Sequence, residues 1–155
     1  MKLLGMIGGT SWHSTIVYYR AINELAGEVI GPASNPPLLL YSLNIDLMRS
    51  GDWDRIKMEY LKISQQLQGA GAEAIIICAN TPHVVYDFVA PQLDIPIIHI
   101  ADVTAQAAKS AGLNKLGLLG TMPTMTMPFL KDRLEQHFDL EILVPDREGI
   151  VNVHK

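Results

Sequence analysis

Apolar residues along this chain fall into short solid runs separated by longer stretches where they recur every three or four positions. The runs are Leu3 to Ile7, Leu38 to Leu43, Ala74 to Cys78, Ile95 to Ile100, Lys115 to Gly120 and Leu140 to Val144. Short, nearly continuous apolar runs bounded by turn residues read as strands buried on both faces of a parallel sheet. Between them, Ser14 to Val29 places Ile16, Tyr19, Ala21, Ile22 and Leu25 near helical spacing. Trp53 to Leu67, Pro82 to Val89, Val103 to Ala111, and a stretch from Thr124 or Thr126 to Phe138 read as further helices. Gly69, Gly71 and Gly112 supply stops. Gly31 to Pro37 and Asn44 to Gly51 read as loops, and the tail from Pro145 has no assigned element. This alternation predicts an α/β fold: a mostly parallel sheet, right-handed crossovers and helices on both faces.

Each strand is expected to end in polar, ligand-type residues: Gly9-Thr10, Asn44, Asn80-Thr81, Asp102 and Thr121. Ligands of open parallel sheets bind at such ends, where backbone N–H groups and helix N-termini converge. Thr81 reads as an N-cap and Pro82 as the first helical residue. The rim is rich in hydroxyls and amides and poor in lysine, and neither a G-x-x-x-x-G-K-[ST] nor a G-x-G-x-x-G spacing occurs. A small carboxylate therefore fits better than a nucleotide. Thr10, Asn80 and Thr81 can serve as caps, as carboxylate ligands, or as both. Arg49, in a loop beside Gly51, reads either as a clamp for a second carboxylate or as a solvated arginine. Cys78 reads either as a buried strand thiol or as a reactive group. His83 is expected to orient the turn, His99 to be a core histidine and Asp102 to cap a helix.

Composition narrows the classes. A chain of 155 residues, 48% hydrophobic and 18% charged, can bury a proper core. Its formal net charge is −4 with scattered lysines and arginines, which argues against nucleic acid or an anionic membrane as partner. A single cysteine rules out an internal disulfide framework and suits a reducing compartment. No stretch reads as a signal peptide or membrane span, so a cytoplasmic setting is expected. No His, Cys and carboxylate spacing suggests a metal site.

Several blocks carry a resemblance. Met6-Ile7-Gly8-Gly9-Thr10-Ser11-Trp12-His13-Ser14-Thr15, with Tyr18-Tyr19-Arg20 following, resembles the opening of the aspartate/glutamate racemase family. Gly69 to Glu73, Asn80-Thr81-Pro82-His83, His99 to Asp102 and Leu118 to Met125 are similar to its later blocks, in order. The resemblance implies two pseudo-symmetric α/β lobes, here 1–101 and 102–155 with the second incomplete, and a homodimer. It implies an isomerase, acting without pyridoxal phosphate or metal, that inverts the α-carbon of an acidic amino acid with one cysteine from each lobe. It also implies that Thr10, Asn80, Thr81, Thr121 and Thr124 contact a small amino acid or dicarboxylate.

Two departures from the family pattern bear on catalysis. The family's first catalytic position corresponds to Ala79, which neither gives nor takes a proton, and Cys78 one residue earlier faces the other way along a strand. The second cysteine, in a Gly-Cys-Thr block, is expected past Lys155. Two readings follow: a cofactor-independent racemase or epimerase of an acidic or related amino acid, with Cys78 as the one candidate thiol, and a catalytically impaired carboxylate-binding relative.

Overall fold

A computed structural model describes residues 1–154. The chain divides into two compact units, Met1–Ile98 and the residues from His99 onward.

In the first unit, β1 (Leu4–Gly8), β2 (Leu38–Ser42), β3 (Ala74–Ile77) and β4 (Ile97–Ile98) form one parallel sheet in the order β2-β1-β3-β4. The helices are α1 (Trp12–Ile30), the four-residue α2 (Asp46–Arg49), α3 (Trp53–Gly69) and α4 (Tyr86–Val89). The core forms where α3 lays Ile56, Tyr60, Ile63 and Leu67 against Ile7, Ile75, Ile77 and Ile97. These α3 positions repeat at three and four residues, so they share one face of the helix. Helix α1 is different. Its one buried residue is Thr15, while the expected apolar positions Ile16, Tyr19 and Leu25 are exposed.

The second unit holds α5 (Ile100–Ser110), β5 (Lys115–Gly117), α6 (Met122–Thr126), α7 (Pro128–Phe138), β6 (Glu141–Leu143) and α8 (Arg147–His154). Strands β5 and β6 pair in parallel as a sheet of two. Ala101, Ala105, Leu130, Leu134, Leu140 and Ile142 make its core. Asp102 and Arg133 join α5 to α7 by a bidentate ion pair, at 2.6 Å from Nε and 2.8 Å from Nη2.

The α/β class and the parallel pairing agree with the sequence pattern, but several local expectations need correction. Residues 44–51 are not all loop, because the Asn44 side chain accepts the Asp46 N–H at 3.0 Å and turns the chain into α2. The strand expected over Ile95 to Ile100 is only two residues long. His99 then leaves the ladder, and its Nδ1 accepts the Ala101 N–H at 3.1 Å, starting α5 three residues early. Asp102 consequently lies inside the first turn of α5 and pairs with Arg133 rather than capping. Thr81 is the first residue of a 3₁₀ turn, Thr81–Val85, rather than the cap of an α-helix. The helix expected to run unbroken to Phe138 is two helices. Met127 takes an extended conformation (φ −84°, ψ 147°), as steric conflict with a following proline favours. The tail, given no element, folds as α8 behind Asp146, whose side chain accepts the Gly149 N–H at 2.8 Å.

The Arg133 guanidinium holds the Asp102 carboxyl below the usual carboxylate range. A lowered carboxyl pKa stabilises the fold above the unfolded value and loses that contribution as pH falls through the folded one. Asp102→Asn is expected to cost about 1 kcal/mol at neutral pH, given a pair partly open to solvent. It should also flatten the decline in stability below about pH 4, the ordinary carboxylate range. Chemical denaturation of both proteins across pH 2–7 checks this.

Candidate functional site

The carboxyl ends of β1 and β3, neighbours in the sheet, bring two polar corners together. The β3 ladder continues one residue past the strand, with Cys78 N–H donating to the Ile7 carbonyl at 2.9 Å. On the other side Leu43 N–H donates to the Gly8 carbonyl at 3.0 Å. Beyond Gly8 the chain must turn at once into α1, and glycine makes this possible. Gly9 has φ +89°, and a Cβ on it would collide with the Leu43 backbone. A Cβ on Gly8 would meet the Thr15 side chain.

The first corner is held by hydroxyls. Ser11 Oγ caps α1 by accepting from Ser14 N–H at 3.4 Å. Thr15 Oγ1 accepts the Gly9 N–H at 3.1 Å and donates to the Ser11 carbonyl at 2.9 Å. Ser14 Oγ donates to the Cys78 carbonyl at 2.6 Å, tying the start of α1 to the end of β3. Thr10 Oγ1, partly exposed, lies 3.0 Å from the buried Tyr60 hydroxyl of α3.

The second corner, Ala79-Asn80-Thr81, is closed by His83. This buried histidine has Nδ1 3.0 Å from the Ala79 carbonyl and 3.1 Å from that of Asn80. Both partners are acceptors, so Nδ1 carries the proton. Asn80 is exposed, and Ala79 and Thr81 are half-buried. Cys78 is 1% exposed, and burial pushes its thiol up to about 12. At neutral pH it is a protonated core thiol.

The remaining expected residues lie elsewhere. Arg49 sits on α2, exposed, 3.9 Å from Asp46, a surface pair of little energetic weight. A cavity of about 330 Å³ opens beside the end of β2, lined among others by Asn44, Arg55 and Glu59, and its lining includes none of Thr10, Asn80 or Thr81. In the second unit Thr121 is exposed just before α6, with Thr124 buried behind it and the two hydroxyls 3.0 Å apart. Sequence reasoning missed Ser14 and Tyr60. Ser14 carries no signal of its own, but Tyr60 does: a phenol at a core position of α3 must find a polar partner.

Among the described residues no cluster of His, Cys, Asp and Glu could hold a metal ion, and no helix is long and apolar enough to cross a membrane. The two corners are thus neutral in charge, held by hydroxyls and one histidine, at the ends of adjacent strands.

A family model described as Asp/Glu/hydantoin racemase matches residues 7–155. The broad specificity amino-acid racemase RacX of Bacillus subtilis (strain 168) is 24% identical over 128 residues, which cover 79% of this chain and 56% of RacX. Among solved structures, a candidate Asp/Glu racemase from Yersinia pestis is 39% identical with a TM-score of 0.92. PH1733, an aspartate racemase homologue from Pyrococcus horikoshii OT3, is 35% identical with a TM-score of 0.88. Both alignments cover 99% of this chain and 69% of the other. The chain therefore spans little more than half the length of the curated relative.

Two outcomes follow from the corner geometry. Gly9→Ala, with a Cβ against the Leu43 backbone at positive φ, is expected to destabilise the first unit by at least about 2 kcal/mol, measured by urea denaturation. Cys78 should resist a disulfide-exchange reagent at pH 8 and react fully once the protein is denatured, followed by thiol absorbance.

Proposed function

This chain belongs to the Asp/Glu/hydantoin racemase family, and from that premise we propose that it serves amino-acid racemisation or epimerisation of the Asp/Glu type. The observation that carries the reading is the meeting of Gly9-Thr10 and Ala79-Asn80-Thr81 at adjacent strand ends, inside blocks that match the family. In this reading Thr10, Asn80 and Thr81 bind the α-carboxylate of an acidic or related amino acid through neutral donors. Those donors stabilise the negative charge that develops when the α-proton leaves, since charge held by preorganised dipoles needs no reorganisation of solvent. Arg49 is proposed as a further substrate contact. The reaction is proposed to proceed without pyridoxal phosphate or metal, in a cytoplasmic homodimer.

Inverting a stereocentre requires a base on one face of the substrate and an acid on the other. Ala79 supplies neither, and Cys78, buried with a raised pKa, is a poor substitute. That favours a second reading: a protein that binds amino acids or dicarboxylates at this rim and turns them over slowly or not at all.

Deuterium wash-in at the α-carbon of D- and L-aspartate and D- and L-glutamate, followed by NMR in D₂O beside calorimetry, separates the two. Exchange with any of the four supports racemisation, binding without exchange supports the binding protein, and absence of both removes the carboxylate site. Ala79→Cys places a thiol where the family pattern has one and is expected to raise the exchange rate roughly 10²-fold, the lower end of what a positioned acid or base contributes.

A further inference from the structure

Tyr60 is fully enclosed in the first core, yet its side chain ends in a hydroxyl. The partner of that hydroxyl is Thr10 Oγ1, 3.0 Å away on the turn after β1. Two hydroxyls facing each other place one proton between them. The phenolic oxygen is surrounded by core side chains and has no other acceptor among its described contacts. Were Thr10 the donor, the phenolic proton would lie in an apolar interior with nothing to receive it, a costly arrangement. Tyr60 therefore donates and Thr10 accepts. Burial, partly opposed by the Thr10 hydrogen bond, drives the ionisation of the phenol well above its usual range, so the donor keeps its proton at any working pH.

This fixes what Thr10 can do at the rim. Its oxygen is already an acceptor, so its own proton is left to donate elsewhere, on a turn that follows β1 where β3 is the neighbouring strand. A hydroxyl that accepts one hydrogen bond also becomes a better donor in the next. We propose that Tyr60 is a positioning residue: from inside the core it commits the Thr10 hydroxyl to donate to a substrate carboxylate. The inference rests on the carboxylate-binding reading of the rim and adds to it the residue that sets the direction of the hydrogen bond.

The test is a double-mutant cycle on the intact chain, with D- and L-aspartate and D- and L-glutamate as calorimetric probes. Tyr60→Phe, which keeps the ring and removes the oxygen, is expected to weaken binding about 5- to 20-fold. Thr10→Val should lose at least as much, and Thr10→Ser, which restores the hydroxyl, should stay within about 2-fold of the wild type. In the Tyr60→Phe/Thr10→Val double variant the losses should not multiply, because one donor serves both. A merely structural Tyr60 would add its loss on top of that of Thr10→Val. In the wild type, the slowly exchanging Tyr60 phenolic proton should shift in the NMR spectrum on adding the tightest probe, a readout that needs no variant to fold. Wild-type affinity in Tyr60→Phe, multiplying losses, or an unmoved phenolic proton with ligand bound would each overturn the relay while leaving the carboxylate site standing. A wild type that binds none of the four probes would overturn the carboxylate site itself, and the relay with it.

Discussion

How closely one stretch of main chain can approach another at the end of β1 decides the rest of the first unit. The hydrogen bonds from Leu43 to Gly8 and from Cys78 to Ile7 hold both neighbouring strands in register through the last two residues of β1. The chain then turns sharply at Gly9 against Leu43, and α1 begins with Thr15 filling the space beside Gly8. A side chain at either glycine would push β2 or α1 outward. Thr10, Ser11 and Ser14 would then lose their places relative to Ala79, Asn80 and Thr81. The polar rim is thus a consequence of backbone packing before it is a matter of side-chain chemistry.

The groups gathered there are unusual in being almost all neutral. Hydroxyls, main-chain N–H groups and one buried histidine hold the corners, while Arg49 lies exposed on α2. Neutral donors fixed by a rigid scaffold discriminate by direction rather than by charge. That explains why so much of the hydrogen bonding is spent on orienting other hydrogen bonds: Ser14 on a carbonyl, Thr15 on an N–H, Tyr60 on Thr10.

Much of this was legible in the sequence. The solid apolar runs placed β1, β2 and β3 to within a residue or two, and polar residues do follow the ends of β1 and β3, which are neighbours in the sheet. Less was legible where a short-range contact overrides a periodic pattern. The Asx turn of Asn44 makes a helix too short to show a period. His99 spends its ring on capping α5, and the strand before it ends early. Pro128 sets the backbone of Met127 and divides one apparent helix into two. Asp146 caps α8, but the residues after it lack a clear apolar stripe, so the periodic pattern shows no element there. In α1 the period was right but the burial was not, since a helix held by caps and by Ser14 can leave Ile16 and Leu25 in solvent. The partnership of Tyr60 and Thr10, fifty residues apart in sequence, depends on tertiary packing and was legible only as a phenol in want of a partner.

Strand β2 forms one border of the four-stranded sheet, so one side of its backbone has no strand beside it among the described residues. It carries Leu40 and Tyr41 partly exposed, with no lysine or inward charge to deter another chain from adding alongside. What restrains such growth is brevity, five residues, together with Pro36 and Pro37 just before it, which cannot extend a ladder of donors. The border of this sheet thus carries its own stop: two residues without a backbone N–H stand at the threshold of a strand too short to recruit far beyond itself.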